Sequence, residues 1–299
     1  MSLAGNPIGC VPIVWNNADL TDLAPQVAVG EILDAYVRLG YAGTQHGRGL
    51  PEGRVLADLL GGRSLRFAEL YSALPAGRAG LDGDADATAQ RDFERLVAGG
   101  GEVLCVALDG SPERDAVSGR VHADGAPRWP AAAFDRLAVM LDELAGAAPE
   151  GVRVAFHPHA ATWIEAPDEV DALVACLAGT RAGLCLDVGH YLVGGGDPVE
   201  AIERHGALVT HVHVKDVDPA VLARLRAGQT SGFGGAVRER IFTELGNGAL
   251  DLAGVVAALD RIGYSGWLMV EQDSSWLAPA EAAAVGIRVL RYAIREQDR

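Results

Sequence analysis

At 299 residues the chain is long enough to build one large α/β domain, or two small ones, around a sizeable core. It carries 25 Lys and Arg against 40 Asp and Glu, a formal charge of −15, which argues against nucleic acid and anionic membrane as partners. No window approaches the roughly 18 apolar residues of a membrane span, and no charged start followed by an apolar segment reads as a targeting signal, so a soluble, cytoplasmic protein is expected.

In chain order, Ile8–Trp15 reads as a first strand, followed by the loop NNADLTD and a helix over about 24–39. Tyr41–Gln45 is a second strand after the helix stop at Gly40, then comes a short helix near 52–60, and Leu65–Tyr71 is a third strand. A helix over about 87–98 stops at three glycines before the fourth strand, Glu102–Leu108, and 109–128 reads as a long polar loop. The stretch 130–147 is an amphipathic helix, with Phe134, Leu137, Leu141 and Leu144 on one stripe. Val152–His157 is the fifth strand, with its helix over 168–177.

The stretch 183–218 then reads as strand, helix, strand. The sixth strand, Gly183–Leu186, ends on Asp187 and is followed by a turn at Gly189 and His190. A helix starts at the cap Asp197 with Pro198 in its first turn. The seventh strand, Ala207–Val214, carries His211 and His213, and Lys215 follows it; alternation puts these three on one face. After a brief helix over 219–227, the glycine-rich stretch 228–248 reads as a long loop, a candidate lid. A helix over 251–262, an eighth strand at Gly266–Val270 and a closing helix over 279–296 complete the chain. Regular strand–helix alternation without a composition break predicts a single (β/α)8 TIM barrel spanning 1–299. A doubly wound open sheet is the runner-up, but no glycine-rich nucleotide fingerprint follows the first strand.

Parallel α/β folds place their chemistry at the C-terminal ends of the strands, so the polar residues there form the candidate site. They are His157 and His159, with Glu165 beyond, Asp187 and His190, His213 and Lys215, and Glu271 at the end of WLMVE. Carboxylates and imidazoles converging there suit Mn2+, Co2+, Mg2+ or Zn2+, and a divalent ion relieves the repulsion between the acids. Taken singly, His157 or His159 reads more often as a hydrogen-bonded structural histidine, His211 as barrel packing, Lys215–Asp216 as a local ion pair, and Trp15 as a core aromatic. Lys215 is the only lysine in the chain. The cysteines 10, 105, 176 and 185 have no metal or redox spacing and read as free thiols in a reducing compartment.

The segments IGCVPIVWNN, FHPHAATWIE, LCLDVGH, HVHVKDVD, FTELGNGALD and GWLMVEQD, spread from the first strand to the last, resemble those of the sugar isomerase/epimerase barrels related to xylose isomerase and endonuclease IV. Within that group the chain is most similar to the inosose dehydratases. The resemblance implies a metal set of Glu, Asp, His and Glu, matched here by Asp187, His213 and Glu271. The first position falls to Glu165, with His157 as its substitute, because His157 stands where many relatives carry glutamate. Gln45 is a second departure, at a position where this branch leads one to expect glutamate.

The resulting expectation is a dehydratase of a small polyhydroxylated keto substrate such as inosose, with Mn2+ or Co2+ foremost, acting as a Lewis acid on an enediolate. Glu271 or His157 would serve as base and His190 or His159 as acid, while Trp15, Asn16, His159 and Lys215 bind substrate oxygens. The rival readings are a ketose isomerase or epimerase on the same site, and a non-catalytic barrel in which Gln45 and His157 mark decay. A nuclease is disfavoured by the charge of −15. A homo-oligomer is compatible with all of these.

Overall fold

A computed structural model describes residues 2–23, 26–122 and 125–299. Strands β1 (Ile8–Cys10), β2 (Gly43–Gln45), β3 (Arg66–Leu74), β4 (Val103–Leu108), β5 (Arg153–Phe156), β6 (Gly183–Asp187), β7 (Val209–Val214) and β8 (Leu268–Val270) close into one parallel ring. β8 pairs back onto β1 through Cys10 and Val270, so the barrel sheet closes on itself without a free edge. This is the expected (β/α)8 barrel. The principal outer helices are Val29–Leu39, Gly53–Gly61, Ala85–Ala98, Ala131–Ala147, Pro167–Leu177, Pro198–His205, Leu252–Arg261 and Pro279–Gln297, one after each strand. Among the described residues no helix is long and apolar enough to cross a membrane.

Alternation along the strands divides the core in two. Leu104, Val106, Val154, Phe156, Leu184, Leu186, Val212 and Val270 face outward and pack with the helices. Ala68, Cys105, Ala155, Cys185 and Met269 fill the barrel interior. The cysteines 10, 105, 176 and 185 are free thiols. Helix entry is fixed locally. The Asp197 side chain accepts from the amides of Val199 and Glu200 with Pro198 in the first turn, and Asp251 caps Gly254 in the same way, each worth about 1 kcal/mol. Gly40 ends the first helix at φ +81°, a conformation that a side chain would strain.

Several boundaries differ from expectation for identifiable reasons. The first strand stops at Cys10, because Pro12 has no amide to donate and Pro12–Val14 forms a 3-10 turn. The first helix begins at Val29; its expected start at 24 and 25 lies outside the described residues. Gly189 and His190 are not in a turn but in a short helix, Val188–Val193, capped by the Asp187 carboxylate. The polar loop after β4 contains the helical turn Pro112–Asp115.

The glycine-rich stretch is not an unstructured lid. It holds a helix, Gly232–Arg238, and a strand, Phe242–Thr243, that pairs antiparallel with Asp216–Val217. Asp216 is not an ion-pair partner of Lys215; its carboxylate accepts amides from Val217, Gly246, Gly248 and Leu250, which staples the stretch to the barrel rim.

Candidate metal centre

Strand register brings the chemistry together. Asp187 at the end of β6 pairs with His213 of β7, and His213 pairs with Met269, two residues before Glu271. From the neighbouring side, His157 follows directly on β5. One ligand atom from each of His157, Asp187, His213 and Glu271 lies within 4.8 Å of the others. His157 Nε2 is 3.6 Å and His213 Nδ1 3.7 Å from Asp187 Oδ2. His213 Nδ1 and Glu271 Oε2 approach to 2.6 Å. Yet Asp187 Oδ2, His213 Nδ1 and Glu271 Oε2 are buried and make no hydrogen bond. Buried polar atoms normally find hydrogen-bond partners; these three make none, although the Lys215 ammonium lies 3.3 Å from Asp187 Oδ2, and their convergence is the disposition of ligands around a shared cation.

The charge balance agrees. Lys215, only 1% exposed, points its ammonium at Glu271 (2.9 Å), Asp273 (3.1 Å) and Asp187 (3.3 Å). Burial works against that ammonium, but the three carboxylates outweigh it and hold its pKa well above the usual lysine range. With both imidazoles neutral, as ligation requires, Lys215 alone does not balance Asp187, Glu271 and a part-ionised Asp273, and a divalent ion would neutralise the remainder. Two carboxylates and two imidazoles form a mixed donor set that suits such an ion.

His157, His213, Glu271 and Asp273 form the floor of a cavity of about 720 Å³, whose walls include Asn17, Asp19, Gln45, Tyr71, His159 and Phe233. His159 stacks on His190 with ring centroids 3.7 Å apart. Its Nδ1 lies 2.7 Å from the Ala160 carbonyl, which assigns the proton to Nδ1 and leaves Nε2 as an acceptor. Burial, with His157 and Lys215 adding to it, pushes the His159 pKa down to about 3, so the ring stays neutral. Burial lifts the Asp273 carboxyl to about 7, with Lys215 opposing and Glu271 assisting.

The family profile described as xylose isomerase-like TIM barrel matches residues 84–293. The chain belongs to the xylose isomerase-like TIM-barrel family. It is 36% identical to the rhizopine catabolism protein MocC of Rhizobium meliloti over 290 residues, covering 95% of this chain and 87% of that one. It is 30% identical to the inosose dehydratase of Lacticaseibacillus casei over 281 residues, covering 92% of this chain and 93% of that one. A solved structure of the IolI protein with a zinc atom superposes with a TM-score of 0.70 over 97% of this chain and 98% of the other, at 17% identity, a likeness of fold.

Of the four residues that the resemblance implied as metal ligands, Asp187, His213 and Glu271 lie within reach of one another and Glu165 does not. Glu165 stands apart from the cluster: Oε1 accepts from Ser118 Oγ and the Gly119 amide, and Oε2 from the Ala161 amide. It clamps the loop after β5 to the segment after β4. Burial raises its carboxyl to about 7 in spite of those donors. His157, the substitute that the sequence offered at that position, lies with the other three.

The residues expected to bind substrate divide as well. His159 lines the cavity. Trp15 does not; it packs edge-on against Tyr36 at 5.3 Å in the core. Asn16 spends its amide on the backbone of Val27 and Arg48, while its neighbour Asn17 lines the cavity. Lys215 lies beneath the floor, and His190, 3.0 Å from the Lys215 ammonium, stands behind His159.

Residues that the sequence reading passed over are Asp273, Asp19, Tyr71, Phe233 and Glu69. Asp273 was signalled by strand parity, two residues after Glu271. Glu69 was signalled by its place inside the apolar run RFAELY. Phe233 had no local signal, since only folding of the glycine-rich stretch brings it to the wall.

Proposed function

We propose that this enzyme is a divalent-metal-dependent dehydratase of a keto-polyol of the inosose class. The observation that carries the reading is the convergence of ligand atoms from His157, Asp187, His213 and Glu271 at the base of a cavity that His157, His213 and Glu271 line; the inosose dehydratase relatives supply the substrate class. His157, Asp187, His213 and Glu271 would hold the ion, with Mn2+, Co2+ or Zn2+ suited to this donor set. When bound, the ion supplies Lewis acidity that polarises the substrate carbonyl.

The chain's own groups account for the remaining steps. The proton on the carbon beside the carbonyl needs a base lining the cavity outside the ligand set. The Asp273 carboxyl, raised to about 7, suits that transfer, whereas His159, pushed down to about 3, is a weak base that would accept a hydrogen bond from a substrate hydroxyl. The electron pair of that C–H bond moves into the adjoining carbon–carbon bond, and the C–O bond at the next carbon breaks. The departing oxygen takes up the proton and leaves as water. Asp19 and Gln45 on the wall would orient the substrate hydroxyls, while Asn17 spends its amide on the backbone of Asp273, Asp19 and Leu20 and so ties the rim together. Lys215 fixes the carboxylates of Asp187, Glu271 and Asp273 in place. Free thiols throughout fit a reducing compartment such as the cytoplasm.

The test is incubation of metal-loaded protein with a panel of keto-inositols and ketoses, read by mass spectrometry. Loss of one water from a keto-inositol supports the reading. A mass-neutral change assigns an isomerase or epimerase instead. Glu271→Gln should abolish turnover while leaving the fold intact; normal turnover by that variant would remove Glu271 from the site.

A further inference from the structure

Glu69 is fully buried inside the barrel, where packing alone offers no reason for a carboxylate. Interior layers of such barrels are ordinarily filled by Val, Ile and Leu, and an apolar side chain there avoids the desolvation of a charge. Two irregularities of strand pairing bring Glu69 to its position. Between β2 and β3, Thr44 pairs with Phe67 and Gln45 with Glu69, which skips Ala68. Ala68 packs with the interior cluster, and the slip turns Glu69 inward as well. Between β6 and β7, Leu184 pairs with Val209 and Cys185 with His211, which skips Thr210 and sets the parity of His211 and His213. Bulges of this kind re-aim side chains beside active sites.

The outcome is a single shared acceptor. Glu69 Oε2 lies 2.8 Å from His213 Nε2 and also bonds His211 Nε2. The other nitrogen of His213, Nδ1, is the one directed at Asp187 and Glu271. Glu69 itself is not among the residues lining the cavity.

We infer that Glu69 is a positioning residue for the metal centre. Its Oε2 accepts the Nε2 proton of His213, which fixes the ring and its tautomer with the Nδ1 lone pair aimed at the ion. His211 donates to the same oxygen and braces the carboxylate. A carboxylate behind a metal-ligating imidazole orients the ring and raises its basicity. The inference rests on the metal reading above and assigns a new residue to it.

The test titrates apo protein with Co2+ and follows the visible absorption of the bound ion in wild type, Glu69→Gln and Glu69→Asp. Glutamine can turn its amide toward His213 and donate to Nε2, which favours a proton on Nδ1 and blocks the ligand atom. Glu69→Gln should therefore weaken Co2+ binding by roughly 10–100-fold, with the apo melting curve little changed. Glu69→Asp keeps the charge but withdraws it and should also lose affinity. Binding within about twofold of wild type in either variant overturns the inference, since it sets this loss against the same 10–100-fold expectation.

A measurement on the wild-type protein covers the case in which the variants do not fold. Nitrogen-15 histidine spectra of the Zn2+-loaded protein should show His213 with a proton on Nε2 and zinc on Nδ1. The reverse assignment overturns the inference. Wild-type protein that takes up neither ion refutes the metal centre itself, and the role of Glu69 falls with it. Uptake by wild type with unchanged affinity in the Glu69 variants refutes only the role of Glu69.

Discussion

Replacing Lys215 with methionine tests the electrostatic frame of the site most directly. The ammonium lies 2.9 Å from Glu271, 3.1 Å from Asp273 and 3.3 Å from Asp187. Methionine matches its length and its packing over Phe242, where Lys215 Nζ lies 4.4 Å from the ring centroid, but leaves three buried acids without their cation. Removing one partner of a buried pair costs about 3–5 kcal/mol. Uptake of a proton by Asp273, already raised to about 7, returns part of that. At about 2 °C per kcal/mol for a chain of this size, Lys215→Met should lower the apo melting temperature by roughly 5–10 °C. A divalent ion then has more negative charge to neutralise, so the rise in melting temperature on adding Zn2+ should be larger in the variant than in wild type. Melts followed by circular dichroism, with chelator and with Zn2+, measure both quantities. An apo shift below about 2 °C, where about 5–10 °C is expected, or an unchanged metal increment would refute the frame.

Three further outcomes are expected. His157→Ala should reduce metal content after dialysis, as measured by elemental analysis, whereas Glu165→Gln should keep it; the opposite result returns the strand-five ligand to Glu165. Because burial raises Glu165 to about 7 from a reference of 4.5, its ionisation opposes the folded state. That contribution therefore falls as pH rises from 4.5 toward 7 and is flat above. Urea midpoints at about pH 5 and about pH 8 should show this decline in wild type and a smaller one in Glu165→Gln. Asp216→Ala frees the amides of Gly246, Gly248 and Leu250. It should cost about 2–4 kcal/mol and open 228–248 to limited proteolysis; an unchanged digestion pattern would show that the staple is dispensable.

Much of this architecture was legible in the residues. The barrel followed from period-2 apolar runs alternating with capped amphipathic helices, and Asp187, His213 and Glu271 followed from polar residues at strand ends. What was not legible depended on pairing. No periodicity reveals that Ala68 and Thr210 are skipped, so a carboxylate inside RFAELY could be noticed but its inward aim toward His211 and His213 could not be read. Glu165 and His157 are both buried polar residues of one loop, and only the donors gathered by Ser118, Gly119 and Ala161 show which is structural. Trp15 and Asn16 missed the cavity by one or two positions because Pro12 ends the strand early and turns the chain before Asn17 reaches the wall. The glycine-rich stretch misled for another reason: its order comes from Asp216, two helices and a strand earlier in the chain.

The staple at Asp216 also bears on how substrate enters. Phe233, Gly234 and Val237 reach the cavity wall from a segment already held against the rim. A doorway framed in advance leaves little ordering to be done when a sugar arrives, so less of the contact energy is lost to fixing loose chain. A rim held in this way favours entry sorted by shape and hydroxyl pattern over entry gated by a closing flap.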